Sequence, residues 1–266
     1  MFRCAARVSR PGARGRAREN GYRGGMASGA SESTLSIRDL DTLDEIFAAH
    51  RVIVEIWGGR DPMPAPLMRA LQYSGNYVVG LYDGDRIVGA SVAFFSPPEQ
   101  HAMHSHVTGV LPEYQRRGFG RLLKQQQRQW AIARDIGTVT WTFDPLVRRN
   151  AHFNAKTIGV RFVEYLVDQY GSAYDGAELD QNGQGVDSDR LLVAWALASA
   201  PVREPDAADV VATVQIPQDV ESLRRTDAAE AAAWRLRVRE EMLSHYGRGL
   251  VIGGFDDERG YLFVQG

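Results

Sequence analysis

The sequence predicts an α+β protein, in which a mixed, largely antiparallel sheet is flanked by helices and followed by a small C-terminal α/β extension. Its 266 residues are 44% hydrophobic and 24% charged, as expected of a globular chain with a sizeable core. Hydrophobic periodicity predicts the element order β-α-α-β-β-β-α-β-α-β-β, and the consecutive strands in the middle favour a mixed sheet over a purely parallel one. The composition changes at "ASAPVREPDAAD" (198–209), where the extension begins.

The first half of the chain predicts a strand, two helices and a hairpin, each bounded by residues that favour caps or turns. In order, these are a strand over 35–40, a helix over 42–56 capped by Asp41, a breaking segment over 57–66, a second helix ended by Gly75, and a hairpin over 76–95 around an Asp83-Gly84 turn.

The second half alternates strands with helices and then changes its pattern in the extension. We expect strands over 101–111, 138–145, 160–171 and 190–197, helices over 118–135 and 147–159, and a loop over 172–189; the extension adds strands at "ATVQIP", "LVIGGF" and "GYLFVQ" and a helix over 227–247 capped by Asp227.

These elements divide the chain into a leader (1–33), a main domain (34–198) and the extension (199–266). Residues 1–25 hold seven Arg and one Glu, and we expect a disordered leader or sequence upstream of a start at Met26.

The only cysteine is Cys4, which excludes disulfide scaffolds and cysteine-rich zinc sites. No apolar run is long enough to span a membrane and the net charge is −2, so we expect a cytoplasmic protein that binds neither membranes nor nucleic acid.

The segment "PEYQRRGFGRLLK" (112–124) predicts an anion site at the start of a helix. The first amides of a helix have no partner within the helix, and glycines such as Gly118 and Gly120 let a ligand approach the backbone closely. Three arginines add positive charge, namely Arg116, Arg117 and Arg121. The segment lacks the lysine motif of a P-loop and the third glycine of a dinucleotide fingerprint, since position 123 is Leu.

Two motifs together resemble the GNAT acetyltransferase superfamily over roughly residues 35–197. "VLPEYQRRGFGR" (110–121) resembles its acyl-CoA-binding motif through Gln115, Gly118 and Gly120, and "NAHFNAKTIG" (150–159) resembles its second CoA-contacting helix. The string "TWTFDPLVRRNAHFN" is similar to a poorly characterised bacterial branch of the superfamily, to which the extension is also expected to belong.

The resemblance implies a GNAT-like fold that binds acetyl-CoA or another acyl-CoA without a metal. The strands 101–111 and 138–145 are then expected to separate, so that the backbone of Val110 pairs with the pantetheine amides. The implied positions for the rest of the cofactor are the amides of Arg116, Arg117, Gly118, Gly120 and Arg121 for the pyrophosphate, and Asn150 and Phe153 for the other side of the arm.

The chemistry implied is direct acyl transfer in a ternary complex, because the body of the chain has no cysteine to carry the acyl group. Some superfamily members place a base eleven residues before the first motif residue, which here is His104; an exposed polar strand face explains this histidine equally. Asp144 is either a second candidate base or the cap of the next segment, and the Val110 N–H is a candidate oxyanion donor. The superfamily's tyrosine acid is replaced by Ala155.

The acceptor is expected to be a small amine such as an amino acid, and the donor acetyl-CoA or succinyl-CoA. Arg60 and Arg69 are candidates to bind a carboxylate, and Trp57 either forms a wall of the acceptor site or caps the core. The helix of the extension docks on the domain, extends the sheet or forms a homodimer contact. Two alternatives remain at this point: a non-catalytic module that binds acyl-CoA or a partner, and a dinucleotide-binding oxidoreductase.

Overall fold

The computed structural model describes residues 35–59, 61–171 and 188–266. The expected leader, Arg60 and nearly all of the predicted loop 172–189 lie outside these described residues. Within them, no helix is both long and apolar enough to cross a membrane.

The elements follow the predicted order, with one additional helix. The strands are β1 Leu35–Asp39, β2 Tyr77–Asp83, β3 Arg86–Phe95, β4 Ala102–Val110, β5 Thr138–Phe143, β6 Arg161–Leu166, β7 Arg190–Ala196, β8 Ala212–Val214, β9 Leu250–Asp256 and β10 Gly260–Gln265. The helices are α1 Leu43–Ile56, α2 Ala65–Tyr73, α3 Phe119–Ile132, α4 Arg148–His152, α5 Val220–Thr226 and α6 Ala228–Gly247, and α4 continues as a π-helical turn over Phe153–Ile158.

Two local predictions need correction. The cap of α1 is Thr42 rather than Asp41, because Glu45 N donates to Thr42 Oγ1 (3.2 Å) and the Glu45 carboxylate accepts from Thr42 N (2.9 Å) in a reciprocal capping box. The short helix α5 was not predicted, although Asp219 caps it by accepting from Ser222 N. Its seven residues are too few for helical periodicity to stand out.

The main sheet has the strand order β1-β2-β3-β4-β5-β7-β6. Every pair of neighbouring strands is antiparallel except β4 and β5, which run parallel. The predicted fold class, a mixed and largely antiparallel sheet flanked by helices, is therefore confirmed.

The helices α1 and α3 lie on opposite faces of this sheet. The Thr108 hydroxyl bonds to Ser91 Oγ (2.7 Å), which accepts in turn from Gln127 of α3 (3.4 Å). The next residue, Gly109, faces α1, since a Cβ there would lie 3.1 Å from the Trp57 ring. Neighbouring strand residues point to opposite faces, so the two helices enclose the sheet and its core from both sides.

The extension forms its own three-stranded sheet, β8-β10-β9, which docks on the main domain. Tyr261 is fully buried and donates from its hydroxyl to the Pro145 carbonyl (2.7 Å). At the other end, Arg239 of α6 pairs with the buried Asp189 just before β7 (2.6 Å). Of the three arrangements that the sequence left open, docking is the one found within the chain, while a homodimer stays a prediction.

Candidate functional site

The parallel strands β4 and β5 separate and leave an open gap. Only three residue pairs join them, Ala102–His104 of β4 with Thr138–Thr140 of β5. Beyond these pairs, β4 continues to Val110 and β5 to Phe143. The expected separation of these strands is therefore present, and it exposes backbone groups to a ligand.

The main chain of Val110 points into this gap. Leu111 N donates to Val88 O of β3 (2.9 Å), and because hydrogen-bonding direction alternates along a strand, the N–H and C=O of Val110 face away from β3. The carbonyl already accepts from Gln115 Nε2 (3.2 Å), which gives the first residue of the motif a structural role. The Val110 N–H and the second lone pair of the Val110 carbonyl are therefore left to pair with a ligand.

The loop 115–121 joins the end of β4 to the start of α3. Arg116 (φ +59°) and Gly118 (φ +83°) have left-handed backbones, and Gly118 is the N-cap of α3. Such a turn directs successive N–H groups towards one point and forms an anion-binding nest. Among the described residues, no acceptor bonds to the amides of residues 116–121.

The three arginines of this loop, called here the loop arginines, are Arg116, Arg117 and Arg121. All three are exposed, and no carboxylate of the described residues lies within ion-pair distance of them. The Arg117 guanidinium stacks over the rings of Tyr114 (5.5 Å) and Phe119 (5.1 Å). The loop therefore combines open amides with positive charge, as a pyrophosphate requires.

The other predicted cofactor residues come from α4 and the turn that continues it, and they lie beside this loop. A Cβ added to Gly120 would be 4.0 Å from Phe153 Cζ, so a larger side chain at position 120 would fill the space next to that ring. Asn150 is half-buried about one helical turn before Phe153. The structure thus brings the predicted residues of both motifs to one end of the gap.

His104 lies at the opposite, closed end of the gap, on the face of α1. Its Nδ1 is 3.2 Å from Thr140 Oγ1, and its ring is 6.2 Å from that of His106. The two histidines share one face, as strand alternation predicts. Burial, then the charges of His106 and Lys124, lower the pKa of His104 to about 4, so the ring is neutral at pH 7.

Three other candidates occupy positions that argue for structural roles. Asp144 accepts from Leu146 N (2.9 Å) and pairs with Arg224 of α5 (2.7 Å), so it caps its turn and anchors the extension. The Arg69 guanidinium donates to the Asp41 carbonyl (3.0 Å) and to the Gln72 side chain. Trp57 packs over Gly109.

Ala155, where the resemblance places a tyrosine acid, faces the extension. It lines a cavity of about 320 Å³ together with Phe162, Val202 and Phe255. Ala155 follows Phe153 by two residues in the π-helical turn. Two residues are about half a turn of helix, so the side chains of Phe153 and Ala155 point to opposite sides of it. A proton donor for this gap must therefore come from elsewhere.

Sequence reasoning missed one polar residue of the gap, Lys124. It lies one turn after Gly120 on the buried side of α3, and its side chain reaches the sheet. The available signal was its position among the buried residues Leu123, Gln127 and Ala131, since a lysine on such a face needs an explanation. No group of three or more His, Cys, Asp or Glu side chains able to hold a metal ion occurs within the described residues.

Comparison with known proteins finds a family model that matches the part of the chain containing the gap and the loop 115–121. Residues 43–159, which include every predicted cofactor residue and His104, match the model of the acetyltransferase (GNAT) family. None of the curated proteins matches the chain.

Solved structures similar to the chain include the ribosomal-protein-S18-alanine N-acetyltransferase from Escherichia coli, with 14% identity, a TM-score of 0.49 and coverage of 63% of this chain and 96% of that chain. An aminoglycoside 6'-acetyltransferase type Ii has 15% identity, a TM-score of 0.49 and coverage of 63% and 99%. An acetyltransferase of Bacillus subtilis in complex with CoA has 16% identity, a TM-score of 0.45 and coverage of 62% and 99%.

Proposed function

Because residues 43–159 form a domain of the acetyltransferase (GNAT) family, as their motifs predicted, we propose that the chain is an acyl-CoA-dependent N-acyltransferase. It transfers an acetyl group, or another short acyl group such as succinyl, to a small amine such as an amino acid. The observation that carries the proposal is the gap between β4 and β5, with the open amides of residues 116–121 at its mouth.

In this proposal the gap holds the acyl-CoA along its length. The pyrophosphate accepts hydrogen bonds from the amides of residues 116–121, and the loop arginines add charge. The Val110 N–H pairs with the pantetheine arm, while Asn150 and Phe153 cover its other side. The thioester then lies towards the closed end, where the strands meet.

The alternative role for the Val110 N–H, as oxyanion donor, is incompatible with His104 as base. His104 lies six positions before Val110, and because one residue of this stretch is bulged, the distance is about 17 Å at the usual rise per residue, whereas both groups would have to reach one carbonyl. We therefore assign Val110 to the arm.

His104 is the proposed base, and its low pKa restricts when it can act. An imidazole with a pKa of about 4 is too weak a base to take a proton from a free ammonium group. The nitrogen of the acceptor becomes much more acidic, however, once it has attacked the thioester carbonyl. His104 then accepts the proton as the tetrahedral intermediate collapses. The neighbouring polar groups on this face, His106, Thr140 and the Thr142–Tyr170 hydroxyl pair, suit a small polar acceptor.

Ligand titration tests the proposal. We expect CoA, acetyl-CoA and succinyl-CoA to bind and NAD not to bind, and we expect release of free thiol when an acyl-CoA is mixed with pooled amines. Binding without thiol release from any amine would favour the second candidate, a non-catalytic acyl-CoA-binding module, to which Ala155 in place of the tyrosine points.

Gly118→Val tests the loop, with Gly75→Val as its matched control. Both glycines have φ +83°, and at both a Cβ would meet open space, so the two substitutions carry a similar backbone cost. Only the first reshapes the loop 115–121, and it should weaken CoA binding by more than 100-fold, about 2.7 kcal/mol. Equal CoA affinities in the two variants would show that the pyrophosphate binds elsewhere.

His104→Ala tests the base. We expect turnover to fall by about 100-fold or more, while the affinity for CoA changes less than twofold. In the wild type, the rate falls with pH as the acceptor amine is protonated, and protonation of His104 should add a further loss only as the pH drops towards about 4. A turnover that His104→Ala leaves unchanged would remove this residue from the mechanism.

A further inference from the structure

Lys124 is a buried lysine at the closed end of the gap. Its Nζ lies 2.9 Å from Ser105 Oγ of β4 and 3.8 Å from the centre of the Trp141 ring of β5. Ser105 and Trp141 are the first residues after the last paired positions of their strands, His104 and Thr140. The ammonium group therefore bridges the two strands at the point where they separate.

This ammonium group has only neutral contacts. Besides Ser105 and Trp141, it donates to Gln127 Oε1 of its own helix (3.1 Å), and no carboxylate of the described residues lies within ion-pair distance. The residue is 5% exposed. A buried charge without a partner is costly, and burial lowers the pKa of Lys124 to about 7.

The groups that face Lys124 define its titration. The strand β4 contributes Ser105 and, on its other face, His104. The strand β5 contributes Trp141, whose Nε1 donates to Asn154 of the π-helical turn (3.1 Å). His104 is the one titratable group among these contacts, and its charge is of the same sign. At neutral pH the lysine therefore holds a proton that it can readily release.

The position of Lys124 matches the reacting end of an acyl-CoA bound as proposed above. Between Val110 and Ser105 the strand β4 advances five residues, one of them bulged, or about 13 Å, which an extended pantetheine arm can follow. The sulfur then lies near Ser105 and Trp141. Ala155 faces away from this place, so the departing thiolate needs another acid.

We propose that Lys124 is the acid that protonates the thiolate of coenzyme A, an inference that rests on the proposed function. The acceptor nitrogen forms its bond to the acyl carbon, the carbon–sulfur bond breaks, and the electron pair of that bond stays on sulfur. The sulfur takes a proton from Lys124 Nζ and leaves as the thiol. Lys124 becomes neutral and regains a proton from solvent, to which His104 passes the proton that it took from the acceptor amine.

The thiol of bound CoA provides a direct test, with Lys124→Met and the matched control Lys156→Met. These are the only two lysines of the chain, and Lys156 pairs with Glu204 and Asp257 on the side of the extension. The probe is CoA itself, titrated with pH while the ultraviolet absorbance of its thiolate is followed. Lys124 and the thiol titrate as a coupled pair, in which the thiolate helps Lys124 to keep its proton and the ammonium group stabilises the thiolate. The bound thiolate should therefore appear at a pH lower by about one unit in the wild type and Lys156→Met than in Lys124→Met.

Kinetics separate proton donation from packing. Lys124→Met should lower kcat by about 100-fold or more, with KM for acyl-CoA within threefold and an unfolding free energy equal to or above that of the wild type. The loss of rate that the wild type shows as the pH rises through about 7 should disappear. Equal thiol pKa values in wild type and Lys124→Met, or an unchanged kcat, would overturn the inference. Failure of wild-type protein to bind CoA would instead overturn the proposed function, and the inference with it.

Discussion

The loop that begins α3 and the surface on which the extension docks both carry several arginines, but only the arginines of the docking surface are paired. Arg149 binds Glu221, Arg224 binds Asp144, and Arg239 binds Asp189. The loop arginines have no carboxylate partner among the described residues. Arginine frequency alone would not distinguish these regions; the distribution of carboxylates does.

The backbone shows the same contrast. At the docking surface Arg148 donates to the carbonyls of Asp257 (2.5 Å) and Ile216 (2.6 Å), so main-chain groups there are used within the protein. In the loop 115–121 the amides of residues 116–121 have no acceptor among the described residues. At the docking surface these main-chain carbonyls have partners within the chain, whereas the loop amides stay available to the ligand proposed above.

The largest effect should come from breaking the docking surface at Asp189. This carboxylate is 1% exposed and accepts from Arg239 and from the Tyr165 hydroxyl (2.8 Å). Asp189→Asn removes the buried carboxylate that pairs with Arg239 and leaves the guanidinium only the more exposed Asp168 (3.1 Å), so it should lower the unfolding free energy by about 3–5 kcal/mol, measured by urea denaturation. The CoA affinity of the folded variant should stay within twofold; a large loss of affinity would mean that the two regions are not separate.

The same pair should make stability depend on pH. Burial raises the pKa of Asp189, but the hydrogen bonds from Arg239, Asp168 N and Tyr165 outweigh it, and the folded-state pKa lies below its usual value. Its stabilisation is therefore present above the unfolded pKa of about 4 and is lost as the pH falls through the folded one. The stability difference between wild type and Asp189→Asn should be constant from about pH 5 to 8 and shrink in stronger acid.

An intermediate effect is expected from the loop arginines. The triple variant with glutamine at positions 116, 117 and 121 should bind CoA about 100-fold more weakly, with a smaller salt dependence, while its thermal midpoint changes little. Pantetheine, which has no phosphate, serves as the control ligand, because its affinity should not change. Equal losses for CoA and pantetheine would show that the arginines shape the gap and do not bind phosphate.

The smallest effect is expected where the two regions meet. Arg149 lies close enough to Arg116 for their charges to repel, and Glu221 neutralises Arg149. Glu221→Gln should cost less than about 1 kcal/mol of stability, as for other exposed ion pairs. It should also raise CoA affinity about twofold at low salt, because Arg149 is then free to attract the pyrophosphate. Calorimetric titration at two salt concentrations measures this difference, and an unchanged affinity would place Arg149 outside the range of the ligand.

Much of the proposed cofactor site could be predicted because its parts are close in sequence. The Val110–Arg121 segment contains a strand end, a turn and a helix start, and the open amides follow from the helix start itself. Gln115 reaches back only five residues to the Val110 carbonyl. The burial of Lys124 was not predicted because it depends on contacts with Ser105 and Trp141, which lie on two different strands.

The sequence by itself determined the order of the strands and helices, the positions of most turns and the motifs that mark the family. Periodicity, caps and glycine turns act over a few residues, so they can be read from a short segment. The tertiary structure decided which arginines are paired, which way Ala155 faces and where β4 leaves β5. These depend on partners far along the chain, such as Glu221, which is 72 residues from Arg149, and folding alone brings such charges within reach of each other.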